Sequence, residues 1–183
     1  MTEESSDRTL AAALRHDLGR KLVVLTGARQ AGKTTLARQL MAGFEPAQYL
    51  SWDVPADRLL IGQHAWSPKA RLVVFDEIHK MRDWKAFLKG AWDGRAKGQA
   101  MLVTGSARMD TFRQGGESLA GRYHAWRLHP FSVRELMDTL GVSAGQALLR
   151  LLDRGGFPEP CLTELVTDAD RWPWLDRLAD EMA

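Results

Sequence analysis

A chain of 183 residues with 45% hydrophobic and 26% charged positions can bury one sizeable α/β core, and its composition is that of a globular protein. Its 25 basic and 23 acidic residues leave a net charge of +2, which is too balanced to argue for a nucleic-acid or membrane-surface binder; nucleic acid stays open as a partner. Cys161 is the single cysteine, which excludes an intrachain disulfide; the acidic start at 1–7 lacks the features of a secretory signal, and no apolar run reaches membrane-spanning length, so a cytoplasmic location is expected.

Residues 8–18 read as a short helix, with Leu10, Ala11, Leu14 and Leu18 on one face. The apolar run Leu22-Val23-Val24-Leu25 predicts a strand over 21–26, and the leucine- and alanine-rich stretch after it predicts a helix over 33–41. Between them stands G-A-R-Q-A-G-K-T, which fits G-x-x-x-x-G-K-[ST] at every fixed position. Strand, glycine loop and helix are the context a phosphate-binding loop requires. Glycines let the backbone curl and aim successive N–H groups inward, and the helix adds its positive end at the same place. The candidate nucleotide-binding residues are therefore Gly27, Ala28, Arg29, Gln30, Ala31, Gly32, Lys33, Thr34 and Thr35. Lys33 is placed to reach the β- and γ-phosphates, and Thr34 to ligate Mg²⁺ through its hydroxyl.

Tyr49 to Trp52 predicts a second strand, closed by Asp53-Val54-Pro55. Arg71 to Asp76 is a near-continuous apolar run of the type buried in parallel sheets, and it ends in Asp76-Glu77. Asp76 is the candidate metal residue, acting through the water shell; Glu77 is the candidate base for a water aimed at the γ-phosphate. Residues 82–96 predict a helix with Trp84, Phe87, Leu88, Ala91 and Trp92 along one side, so core packing is the default for those tryptophans. Ala100 to Thr104 and Tyr123 to Leu128 predict two more strands, and 131–140 and 144–152 two more helices, before Gly155-Gly156-Phe157-Pro158 breaks the pattern. Ser106, just past the fourth strand with Thr104 beside it, is a candidate γ-phosphate sensor, although serine is also an ordinary turn residue. Of the late arginines Arg108, Arg113, Arg122, Arg127 and Arg134, Arg122 is the first candidate for an arginine finger, from its glycine turn before a strand; a structural arginine is the competing reading. His79, His124 and His129 do not form metal-ligand spacing with Cys161 or one another.

Several stretches resemble a group of prokaryotic AAA-type P-loop ATPases that carry a C-terminal domain of unknown function. They are G-A-R-Q-A-G-K-T-T-L at 27–36, Y-L-S-W-D-V-P at 49–55, V-V-F-D-E-I-H-K at 73–80, W-K-A-F-L-K-G at 84–90, L-V-T-G-S-A-R at 102–108, E-S-L-A-G-R-Y at 117–123, L-H-P-F-S-V-R-E-L at 128–136 and R-G-G-F-P-E-P at 154–160. The resemblance implies a three-layer α/β fold around a mainly parallel five-stranded sheet of order 5-1-4-3-2. It implies ATP and Mg²⁺ as ligands and ATP hydrolysis as the chemistry. On matching positions it assigns phosphate binding to Gly32, Lys33 and Thr34, the metal to Asp76, and water activation to Glu77; Arg122 matches a family arginine of no settled role. It also divides the chain into an N-terminal helix at 1–20, an ATPase core at 21–130 and a helical extension at 131–183, truncated relative to the group. Apolar residues at 131–152 and 168–182 would face the missing domain, and self-association or a protein partner is expected there. Three functions stay open: an ATPase coupled to a partner, a non-hydrolysing ATP-binding switch, and a P-loop small-molecule kinase.

Overall fold

The computed structural model describes residues 8–106, 119 and 121–163. Strands β1 (Leu22–Gly27), β2 (Ala47–Ser51), β3 (Leu72–Asp76), β4 (Ala100–Ser106) and β5 (Tyr123–Leu128) form one sheet in the order β2-β3-β4-β1-β5. Every neighbouring pair is parallel. Read from the other side, this is the expected order 5-1-4-3-2, with β4 inserted between the glycine-loop strand and the Asp76 strand.

The parallel arrangement explains the sequence of the central strands. Helices cover both faces, so β1 and β3 are buried at every position and cannot alternate polar with apolar. Successive side chains still point to opposite faces. Val24, Phe75 and Val103 pack on one side with Ile61 of α3 (Pro55–Gly62) and Phe87, Leu88 and Trp92 of α4 (Trp84–Asp93). Val23, Leu25, Val74 and Leu102 pack on the other with Leu14 of α1 (Ala11–Leu18) and Leu36 and Leu40 of α2 (Lys33–Met41). Each large apolar side chain buried this way contributes roughly 1.5–3 kcal/mol, so a one-residue register slip would exchange two full layers. Phe75 meets Phe87 and Trp66 edge-on, at 5.5 and 5.2 Å between centroids, which gives Trp66 a core role beside that of Trp92.

The structure departs from the expected elements in a few places. Asp53-Val54-Pro55 does not simply end a strand: Pro55 opens α3, in the first turn where a missing N–H removes no helical bond. Only Ile61 of that helix is fully buried and Leu59 is 66% exposed, so its apolar periodicity is faint. The helix expected over 82–96 is confined to Trp84–Asp93.

Beyond β5 lie α5 (Val133–Leu140), α6 (Ala144–Arg154) and α7 (Pro158–Leu162), which share a small core of Leu136, Ala147 and Cys161. α5 and α6 each begin with a reciprocal capping box, Ser132 with Glu135 and Ser143 with Gln146. Of the apolar residues expected to face outward here, Leu136 is buried, whereas Leu148, Leu149 and Leu152 are exposed. The expected tail helix at 168–182 lies outside the described residues. Among the described residues no helix is long and apolar enough to cross a membrane.

Candidate nucleotide site at the carboxyl ends of the strands

Parallel strands end together. The register pairs Gly27 with Ser106 and Asp76 with Thr104, so the glycine loop, the Asp76-Glu77 pair and the end of β4 converge at one place. The loop backbone needs glycine. A Cβ on Gly27 would stand 2.4 Å from the Leu128 carbonyl oxygen, and Gly32 has a φ of 94°, in the left-handed region. Gly32 is also the N-cap of α2, which has no side-chain cap, so its first-turn N–H groups face the loop.

Lys33 is buried and its ammonium donates to the carbonyls of Gly27 at 3.1 Å and Ala28 at 2.7 Å. Burial pushes its pKa down, the nearby charges of Glu77 and Asp76 oppose that, and Arg29 adds to it. A desolvated cation thus sits between a curled backbone and two carboxylates. Arg8 braces the loop from behind. Its guanidinium donates to the Ala31 carbonyl at 3.1 Å, to the His129 carbonyl at 2.6 Å and to Glu135 at 2.8 Å, and lies over the Phe131 ring at 4.3 Å. The first turn of α5 is thereby tied to the loop by a buried ion pair, with side chains 8% and 11% exposed. Burial raises the Glu135 pKa, but the bonds from Arg8 and Ser132 outweigh it and hold the carboxyl below its usual range.

Asp76 has both oxygens engaged, one by the Thr104 hydroxyl and one by the Tyr49 hydroxyl. Burial first, and then the contact with Asp76, push the Tyr49 pKa well above its ordinary value, so the phenol keeps its proton. Glu77 follows in a left-handed turn, φ 56°, with its N–H on the Thr104 carbonyl at 3.1 Å. That turn swings its side chain away from Asp76. The carboxylate lies 3.3 Å from Lys80, which also binds Asp53 at 2.7 Å, and 3.8 Å from the His79 ring. Burial holds the His79 pKa below its ordinary value against the pull of Glu77. Ser106 Oγ meets the same ring at 3.4 Å. Thr34 and Asp76 offer oxygen ligands of the kind Mg²⁺ takes when phosphates and water complete its octahedron. Among the described residues no group of three or more His, Cys, Asp or Glu forms a self-sufficient cation cage.

The structure therefore brings Gly27 to Thr35, Asp76, Glu77 and Ser106 together and leaves Arg122 apart. The Arg122 carbonyl accepts the N–H of Leu22 at the amino end of β1, and its guanidinium meets Asp93 at 3.0 Å. The length of β5 separates it from the loop by roughly 17–20 Å. It cannot serve as a finger for the nucleotide of its own chain. The strand pattern carried the warning: a residue just before a parallel strand lies at the amino end, and the glycine loop follows one. Of the other late arginines, Arg134 pairs with Asp138 at 3.0 Å, Arg127 lies within β5, and Arg108 and Arg113 lie outside the described residues. Tyr49, Glu135 and Lys80 join the site from stretches that resemble the ATPase group but were assigned no role there, and Arg8 joins it from outside all of them.

Known proteins resemble this chain in family and in fold. A family profile described as an AAA domain matches residues 19–137. The uncharacterized proteins Rv2008c of Mycobacterium tuberculosis and Mb2031c of Mycobacterium bovis are each 35% identical over 168 residues. That alignment takes in 90% of this chain and 36% of theirs, so the chain spans about a third of the length of these relatives. The fold is shared with the Walker-type ATPase Paby2304 of Pyrococcus abyssi, at a TM-score of 0.56 and 17% identity over 87% of this chain and 66% of that one. It is also shared with the STAND protein PH0952 of Pyrococcus horikoshii, which has a tetratricopeptide repeat sensor (TM-score 0.55, 14% identity, 92% and 31% of the two chains). AMPPCP-bound DnaA of Aquifex aeolicus is similar at a TM-score of 0.52, with 10% identity over 83% and 56% of the two chains. With a glycine loop closed over a buried lysine, a 5-1-4-3-2 sheet and a profile match over more than half its length, the chain belongs to the AAA domain family and is an AAA-type P-loop ATPase domain.

Proposed function

We propose that this domain binds Mg-ATP in the 27–35 loop and hydrolyses it, coupling the nucleotide state to a protein partner or to the further length its relatives possess. The observation that carries the reading is the buried Lys33 held between the loop carbonyls and the Asp76-Glu77 pair. In the bound state Lys33 turns from the carbonyls of Gly27 and Ala28 to the β- and γ-phosphates, and the loop N–H groups with the start of α2 complete the cradle. When bound, magnesium supplies charge neutralisation across the β- and γ-phosphates. Thr34 and Asp76 are the residues to hold it, Thr34 directly and Asp76 through water. Glu77 accepts the proton of a water directed at the γ-phosphorus, and Ser106 reads the γ-phosphate. An arginine for the transition state comes from elsewhere than Arg122 of the same chain.

A second reading, an ATP-binding switch without turnover, is favoured by one contact. Glu77 is already engaged by Lys80 at 3.3 Å, a contact it would have to give up to turn toward a water at the γ-phosphate. Titration of ATP with and without magnesium, beside a phosphate-release assay lacking any acceptor, separates the two. Binding with release supports the ATPase, binding without release supports the switch, and no binding overturns both.

A further inference from the structure

The hydroxyl of Tyr49 stands between the two oxygen ligands assigned to magnesium, although Tyr49 belongs to β2 and to no phosphate motif. The β2–β3 register pairs Ser51 with Asp76 and Tyr49 with Val74, which sets Tyr49 two residues back from the end of its strand. Its hydroxyl donates to Asp76 and also hydrogen-bonds the Thr34 side chain. A phenol has one proton. With that proton given to Asp76, the second bond runs the other way: Thr34 donates and the phenolic oxygen accepts. The Thr34 proton is thereby drawn toward Tyr49, and the Thr34 lone pairs are left for a cation. Asp76 is fixed from its other side by the buried Thr104 hydroxyl, so its carboxylate cannot rotate without breaking a bond. The ring is held as well, with Arg38 over its face at 5.5 Å, one turn beyond Thr34 on α2.

We propose that Tyr49 is a positioning residue that couples metal to nucleotide, orienting the Thr34 hydroxyl and the Asp76 carboxylate so that the site favours magnesium-bound over metal-free ATP. The inference rests on the Mg-ATP reading above. Tyr49→Phe removes the hydroxyl and keeps the ring. The experiment titrates ATP into the full chain, once in excess Mg²⁺ and once in EDTA, for wild type, Tyr49→Phe, Asp76→Asn and the double variant. The magnesium-dependent gain in affinity is expected to fall about fivefold or more in Tyr49→Phe, with affinity in EDTA within about twofold of wild type. In the Asp76→Asn background the same change should move the gain by less than about twofold, because the relay already ends on a weakened acceptor. An unaltered gain in Tyr49→Phe, or an equal loss with and without metal, overturns the proposal and leaves the Mg-ATP reading standing. A full fivefold effect in the double variant overturns it too. A wild-type chain that binds no ATP under either condition overturns the underlying reading instead.

Discussion

Two buried carboxylates, Asp76 and Asp17, make the most useful comparison in this molecule. They are almost equally hidden, 8% and 9% exposed, and both accept bonds from more than one side chain. Asp17 sits in the last turn of α1, by the turn that enters β1. It accepts the Trp126 indole N–H at 2.8 Å, lies 2.8 Å from His124 and 3.3 Å from His16, and its backbone carbonyl takes the N–H groups of Arg20 and Lys21. Burial raises its pKa, yet these contacts outweigh that and hold the carboxyl below its usual range. Asp76 instead accepts two neutral hydroxyls at the carboxyl ends of the strands, in view of Lys33. A buried, well-bonded acid is thus no signature of a site. Position decides: in an open parallel sheet the loops that follow the strands form the ligand crevice.

The sharpest break between the two regions should come from Glu77, the neighbour of Asp76. Glu77→Gln keeps the shape and loses the base, so phosphate release should fall by a factor of about 10²–10⁴ while ATP affinity stays within a few-fold. A variant that turns over at the wild-type rate would remove Glu77 from its assigned role. Lys33→Ala comes next. It deletes a charge-assisted contact of roughly 1.5–3 kcal/mol, hence about tenfold or more in Mg-ATP affinity by calorimetric titration. Undiminished binding would contradict the loop assignment.

Asp17→Asn tests the other side of the comparison. Nucleotide affinity should not change, but thermal stability at neutral pH should drop by roughly 1–2 kcal/mol, because a carboxylate bonded to N–H donors is lost. The sign of the pH dependence follows from the lowered folded-state pKa. The contribution of Asp17 is present above its unfolded value of about 3.9 and is lost as pH falls through the folded value beneath it. The gap in midpoint between wild type and variant should therefore narrow as the pH falls below about 4. A gap that did not narrow there would contradict the ionised state of Asp17.

What the sequence disclosed of this site follows from contact range. The 27–35 loop is contiguous and closes by its own backbone, so strand, glycines and helix could be read in a single window. Asp76 and Glu77 were legible because a buried parallel strand is apolar throughout and its first acids mark its end. Tyr49 meets Asp76 across 27 positions and Arg8 meets Glu135 across 127, and neither pairing leaves a trace in local periodicity. Helix α3 was missed because it buries a single large side chain and lies mostly on the surface. The sheet order came from family resemblance, since no strand's own residues state which neighbour it takes.

Arg122 should give the smallest effect, and it sharpens the comparison most finely, because it lies on the Asp17 side of the molecule yet carries a motif that resembles the ATPase group. Its partner Asp93 is half exposed, and such surface pairs are screened by water. Arg122→Ala should accordingly leave the unfolding midpoint nearly unchanged and ATP affinity within about twofold. Its carbonyl bond to the Leu22 N–H is backbone and survives the substitution. Phosphate release per chain, measured across a range of protein concentrations, then gives two distinct results. Equal release by wild type and variant throughout assigns Arg122 to its ion pair with Asp93. A deficit in the variant that grows with protein concentration would place the guanidinium on the nucleotide of a neighbouring copy, the one geometry by which it can meet a γ-phosphate. A loss of affinity in dilute solution, where each chain is alone, would contradict the strand length that now separates Arg122 from the loop.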